Sequence, residues 1–195
     1  LGGYILFARN LGTMAEVAAL NAELVADVPA HLPLLVSVDQ EGGRVARLKA
    51  PVLALPPMRQ LAALGDASLV RRAAAVLGRQ LRALGFTMDF APVLDIDTNP
   101  ANPVIGDRAF GPDAASVIEY ALAFSDGLLD AQVLSCGKHF PGHGDTHLDS
   151  HLALPRLAHP RARLDAVELA PFRAAKGRVP SLMTAQVVFE ALDAT

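Results

Sequence analysis

Val133-Leu134-Ser135-Cys136-Gly137-Lys138-His139-Phe140-Pro141-Gly142-His143-Gly144-Asp145-Thr146 sets a short apolar run against a dense polar segment that continues to Asp149-Ser150-His151. The run at 133–137 has the length of a buried strand. Pro141, Gly142 and Gly144 exclude a core helix after it, so Lys138 and His139 are expected at the strand's carboxyl end and the other imidazoles on a long irregular loop. A loop so rich in titratable groups is expected to be a site. Its imidazoles exchange protons near neutral pH, and Asp149, two residues before His151, can orient that ring if the loop folds the two together.

The same juxtaposition recurs along the chain. Five strands are expected, at 3–7, 34–38, 87–94, 133–137 and 181–188, separated by stretches of helical period as in βαβ units. Leu69, Ala73, Val76, Leu77, Leu81 and Leu84 recur at spacings of three and four and form one apolar helix face, opened by Asp66 and closed by Gly85. Val117, Ile118, Ala121, Leu122, Leu128 and Leu129 repeat the pattern. Capping-box spacing at Thr13 with Glu16, and at Asp165 with Glu168, places helix starts at Thr13 and Asp165.

Polar groups then choose between parallel-sheet architectures. Asp39 follows the second strand, Asp95 and Asp97 end the third, Lys138 and His139 end the fourth, and Gln186 lies within the fifth. Polar carboxyl ends on successive strands converge on one site in a (β/α)₈ TIM-type barrel, whereas a doubly wound sheet gathers its ligand groups at a single crevice. The barrel is the expected fold. No Gly-rich phosphate fingerprint follows any strand, since Gly42-Gly43 is only a pair and Gly142-His143-Gly144 opens no helix. A complete barrel uses ~250 residues, about 30 per βα unit. With Leu1 entering one strand and Thr195 just past another, residues 1–195 are expected to form an incomplete barrel lacking its closing strands.

Composition narrows the function. With 195 residues, 52% apolar and 19% charged, the chain can bury a large core. A formal charge of −3, a pI of about 6.1 and scattered Lys and Arg argue against nucleic-acid binding. Cys136 is the single cysteine, so no intrachain disulfide forms, and it is expected as a small buried strand residue rather than a nucleophile. No run approaches ~18 apolar residues, and no basic-then-apolar amino terminus resembles a signal peptide, so neither a membrane partner nor a leader is expected. His143, His147 and His151 stand four apart, as zinc ligands on a helix would. Gly144 interrupts that interval, and no metal is expected; His143 between its glycines is expected to brace the loop. Asp95 and Asp97 remain open between capping a turn at Thr98-Asn99-Pro100 and serving a site, and Arg44 remains open as well.

Four separated segments carry a family resemblance: Ile5-Leu6-Phe7-Ala8-Arg9-Asn10; Asp39-Gln40-Glu41-Gly42-Gly43-Arg44-Val45 with Arg47; Ile105-Gly106-Asp107-Arg108-Ala109-Phe110; and Lys138 to His151 with Leu154-Pro155. In this order they resemble the bacterial β-N-acetylhexosaminidases of glycoside hydrolase family 3, and Met183-Thr184-Ala185 continues the pattern. The family places a His after that Ala, whereas this chain has Gln186.

The resemblance implies that residues 1–195 are part of the family's N-terminal catalytic barrel domain. By motif position it implies Asp39, Arg47, Arg108, Lys138 and His139 as binders of a terminal N-acetylglucosamine, His151 as general acid/base and Asp149 as its partner. The implied nucleophile is an aspartate beyond Thr195, so this chain alone holds none and is expected to be inactive. The implied activity is that of a retaining exo-β-N-acetylglucosaminidase passing through a glycosyl-enzyme, with no cofactor. A histidine with an ordinary pKa near ~6.5 can donate in the first step and accept in the second. The substrates so implied are peptidoglycan-derived muropeptides, recycled in the cytoplasm. A family 3 phosphorylase and a noncatalytic sugar-binding remnant stand as alternatives.

Overall fold

The computed structural model describes residues 2–29, 31–148 and 154–193. In chain order the elements are β1 (Gly3–Leu6), α1 (Met14–Val25), β2 (Leu35–Val38), β3 (Gln40–Gly42), β4 (Val45–Ala46), α2 (Met58–Ala62), α3 (Ala67–Ala83), β5 (Met88–Asp89), α4 (Ala114–Asp130), β6 (Leu134–Phe140), β7 (Arg156–Leu157), α5 (Arg161–Ala166), α6 (Ala170–Ala175), β8 (Ser181–Thr184) and β9 (Val188–Phe189). Strands β1, β2, β5, β6 and β8 form one parallel sheet in that spatial order. Each expected strand thus lies beside the next, the sequential order of a (β/α) barrel wall rather than the reversal of a doubly wound sheet. Among the described residues no helix is long and apolar enough to cross a membrane.

Local chemistry sets the helix ends. Thr13 and Glu16 cap α1 reciprocally, the Glu16 amide donating to Thr13 Oγ1 and the Thr13 amide to Glu16 Oε2. Asp66 and Asp113 cap α3 and α4 by accepting from the Leu69 and Ser116 amides. Gly85, at φ 90°, turns the chain out of α3 into β5.

Several expectations need correction. The stretch 87–94 forms regular ladder only at Met88–Asp89, because Pro92 has no amide to donate. Irregular bonds continue it, from Cys136 N to Ala91 O (2.8 Å) and from Leu94 N to Lys138 O (2.6 Å). Strand β6 runs on to Phe140, so Lys138 and His139 lie inside the strand and the irregular loop starts later. The fifth strand ends at Thr184; Val188–Phe189 pairs instead with Arg156–Leu157, which leaves Gln186 in the turn between. No helix begins at Asp165, which sits near the end of α5, because Pro160 enters that helix with its φ preset at −64°. Asp165 instead receives Arg161 and Arg173, and Glu168 receives Arg163. The β3–β4 hairpin and the short helices α2, α5 and α6 were not expected.

The apolar face of α3 is also rotated from the expected one. Val70, Ala74, Leu77, Gly78 and Leu81 are buried, while Val76 is 37% exposed. Small residues decide this. Ala74 and Gly78 let α3 close on α4, where Val117, Ala121, Phe124 and Leu128 are buried and Gly127 sits at the crossing. A Cβ on Gly127 would stand 2.8 Å from Ala74 Cβ and run into the Arg71 carbonyl.

Gly127→Ala in the whole protein is therefore expected to lower the urea midpoint. Overpacking costs about 1–3 kcal/mol, which exceeds the ~1 kcal/mol gained in helix propensity. An unchanged or higher midpoint would show that α3 and α4 part freely.

Candidate active site

The site begins where β2 ends. Beyond Val38 the chain turns through Asp39 into β3, then doubles back at Gly42 (φ 116°) and Gly43 (φ 54°) into β4. A side chain at Gly42 would also meet the Pro56 carbonyl. Gln40 fixes the hairpin: its Nε2 donates to Leu48 O (3.1 Å) and its Oε1 accepts from the Leu48 amide (2.9 Å). Asp39 and Glu41 thereby come to the same side, where both reach Lys138, while Gln40 turns away to Leu48.

That side carries a buried charge cluster. Lys138 Nζ lies 2.8 Å from Asp39 Oδ1 and 2.5 Å from Glu41 Oε1. Arg108 grips Glu41 with two bonds, Nε to Oε2 at 2.9 Å and Nη2 to Oε1 at 2.7 Å. Arg47 stands 3.8 Å from Asp39, and its Nε has no partner among the described residues. Glu41 and Lys138 are each 2% exposed. Burial opposes the charge on Glu41, but Lys138 and Arg108 outweigh it and hold its pKa at about 2. Burial likewise opposes the Lys138 ammonium, and Glu41 and Asp39 outweigh it to raise its pKa.

Two further hubs lock the surrounding loops. Fully buried Asp95 accepts the amides of His139 (3.2 Å) and His143 (2.7 Å) and meets His139 Nδ1 at 2.6 Å. Burial works against its charge, and His139 with the two amides prevails and lowers its pKa. An ionised acceptor assigns the Nδ1 proton to His139 and leaves Nε2 for other contacts. Asn102 accepts from the Val104 and Ile105 amides (both 2.8 Å) and donates to His143 O (2.8 Å), joining the loop of Arg108 to that of His139. Arg44 reinforces the first of these, donating to the Val104 and Ile105 carbonyls at 2.5 and 3.1 Å.

Asp39, Arg47, Arg108, Lys138 and His139 all line one cleft of about 480 Å³, with Glu41, His143, Met183 and Gln186. That volume suits a small ligand. Asp149 and His151 lie outside the described residues. His143 braces the loop, its Nδ1 2.8 Å from Thr146 Oγ1, while His147 Nδ1 meets Asn99 Nδ2 at 3.0 Å. Asp97 pairs with Arg59 at 2.8 Å, away from the cluster. A separate groove lined by Phe140, Phe172, Ala175, Val179 and Leu182 is apolar, with only Arg173 and Lys176 adding charge.

Sequence reasoning missed Glu41 and Asn102 and left Asp95 open. Glu41 stood in the same segment as Asp39, Asp39-Gln40-Glu41, but the chain turns between them, so their common side was not fixed by strand alternation. Asn102 carried no local signal.

The cleft sits at the carboxyl ends of parallel strands, where barrel enzymes place their active sites, and is floored by paired carboxylates and cations. The model of the glycosyl hydrolase family 3 N terminal domain matches residues 1–195, and the chain belongs to that family. A beta-hexosaminidase of Thiobacillus denitrificans is 41% identical over all of this chain and 55% of its own length, and one of Alkalilimnicola ehrlichii 40% identical over 99% and 57%. The chain thus spans about half the length of these curated relatives. A family 3 β-N-acetylglucosaminidase structure from Paenibacillus sp. FPU-7 has a TM-score of 0.95 and 50% identity, covering 100% of this chain and 38% of that one. The structure of NagZ from Neisseria gonorrhoeae in complex with N-trifluoroacetyl-D-glucosamine gives 0.91 and 38%, covering 99% and 58%.

The depressed pKa of Glu41 ties stability to acidity. Its folded value of about 2 lies below the ordinary 4.5, so its contribution is complete above that ordinary value and is lost as pH falls through the folded one. That contribution is on the order of 3 kcal/mol. Glu41→Gln is expected to lower the melting temperature at neutral pH and to lose much of the acid-induced decline between about pH 5 and 2. Parallel melting curves for variant and wild type across that window would refute the assignment.

Proposed function

We propose that the whole protein is a retaining exo-β-N-acetylglucosaminidase that releases terminal N-acetylglucosamine from peptidoglycan-derived muropeptides in the cytoplasm. Residues 1–195 contribute the amino-terminal part of its barrel domain. The observation that carries the reading is the convergence of Asp39, Arg47, Arg108, Lys138 and His139, from three separate stretches, on one cleft. Family membership and the likeness to a NagZ bound to an N-acylated glucosamine support it.

In this reading Asp39 accepts hydrogen bonds from sugar hydroxyls, and Arg47, Arg108 and Lys138 donate to them. His139, held by Asp95, adds a positioned imidazole. His151, paired with Asp149, protonates the leaving oxygen and then deprotonates water. An aspartate outside residues 1–195 forms the glycosyl-enzyme.

Replacing Arg47, Arg108 or Lys138 by Ala in the full-length enzyme is expected to lower kcat/KM for an aryl N-acetylglucosaminide at least about tenfold, since a charged hydrogen bond contributes ~1.5–3 kcal/mol. His151→Ala is expected to lose on the order of 10² to 10⁴ on natural substrates, far less on nitrophenyl ones, and to be rescued by azide. Wild-type kinetics in all three cation variants would refute the binding assignment. A uniform loss in His151→Ala without azide rescue would refute its acid/base role, and a sugar phosphate formed only with added phosphate would replace hydrolase by phosphorylase.

A further inference from the structure

One buried acid under the cleft has no place in the mechanism. Asp89 is the last residue of β5, flanked in register by Val38 of β2 and Ser135 of β6, and it is 0% exposed. Its Oδ1 accepts the Gln40 amide at 2.9 Å, and its Oδ2 has no partner among the described residues. The groups that act on it are Lys138 from β6 and Asp39 and Glu41 on either side of Gln40. The Cys136 thiol of β6 faces the same cluster, with its own pKa raised chiefly by burial.

The charges decide the state of this acid. The one nearby ammonium, on Lys138, is already bonded to Asp39 and Glu41. A third carboxylate would stand unpaired in a dry interior beside two others, which is costly. The carboxylic acid form keeps the carbonyl oxygen that receives the Gln40 amide and adds no charge.

We propose that Asp89 is a positioning residue for the sugar cleft: as an uncharged acid it holds the Gln40 amide and thereby sets Asp39 and Glu41 at the spacing that receives Lys138 and Arg108. The inference rests on the sugar-binding reading of that cleft. Burial, reinforced by Glu41 and Asp39 and only partly offset by the Gln40 amide and Lys138, raises the Asp89 pKa to about 7. Above that pH the ionised acid competes for Lys138 and loosens the cation from the carboxylates that aim it.

The test uses the full-length enzyme and two variants. Asp89→Asn keeps an acceptor for the Gln40 amide and cannot ionise; Asp89→Leu supplies no acceptor. The wild-type KM for an aryl N-acetylglucosaminide is expected to rise several-fold, and at most about tenfold, from about pH 6 to 8. Asp89→Asn should flatten that rise, and Asp89→Leu should raise KM at every pH with a smaller effect on kcat. Superimposable KM profiles for wild type and Asp89→Asn, or a wild-type KM in Asp89→Leu, would overturn the proposal.

A second readout needs no substrate. The raised pKa means that the folded state binds more protons than the unfolded one between 3.8 and about 7, so this residue makes stability fall as pH rises through that window. Melting temperatures should show the fall in wild type and a smaller one in Asp89→Asn, a difference of roughly 4 °C or more. Equal slopes would overturn the uncharged acid. Failure to cleave any N-acetylglucosaminide, with the melting difference present, would reject the sugar reading instead.

Discussion

Burial of the Lys138 ammonium between Asp39 and Glu41 is the constraint on which the rest of the site depends. A cation 2% exposed is tolerable only with its counter-charges in contact, so β6 must carry it to the end of β2 and the hairpin must present both carboxylates to it. Glu41 then has capacity left for Arg108, which draws in the loop around the 3-10 turn Gly106–Arg108. Asn102 and Asp95 carry that order on to the backbone of His139 and His143. The sheet and helices provide the hydrophobic free energy; the cluster selects one arrangement of the loops above them.

Removing any member has unequal effects for the same reason. Arg47, a third exposed and 3.8 Å from Asp39, adds little to holding the cluster itself together. Loss of Glu41 costs more, because it leaves Arg108 without its carboxylate and buried Lys138 with Asp39 alone. Under the proposed sugar-binding role, the groups that meet a ligand are thus held by groups that do not, and rigidity in the second set gives precision in the first.

How much of this was legible in the sequence follows from which interactions are local. Helix caps at Thr13 and Asp66 and the exit at Gly85 depend on neighbours within four residues, and they were readable. The sequential parallel order followed from short apolar runs alternating with helical period. Motif position brought Asp39, Arg47, Arg108, Lys138 and His139 to a common cleft. What escaped depends on distant partners. Asp165 with Glu168 has capping spacing, yet Pro160 and the remote Arg173 decide its use. The stripe on α3 turned on how its Ala74 and Gly78 let it close on α4. Asn102 holds its own turn locally, but it becomes a link between loops only through a backbone more than forty residues away.

The order of the sheet bears on how the chain acquires its structure. Each strand pairs with its successor, so the wall can grow unit by unit with modest loop closure at every step. The ion pair of Asp39 with Lys138 spans 99 residues. Until β6 arrives, Asp39 and Glu41 lack the buried ammonium that joins them, and among the described residues only Arg108 and Arg47 are at hand to pair with them. The cleft is consequently completed late: a nascent chain can hold several βα units well before it holds the full ion cluster that floors the cleft.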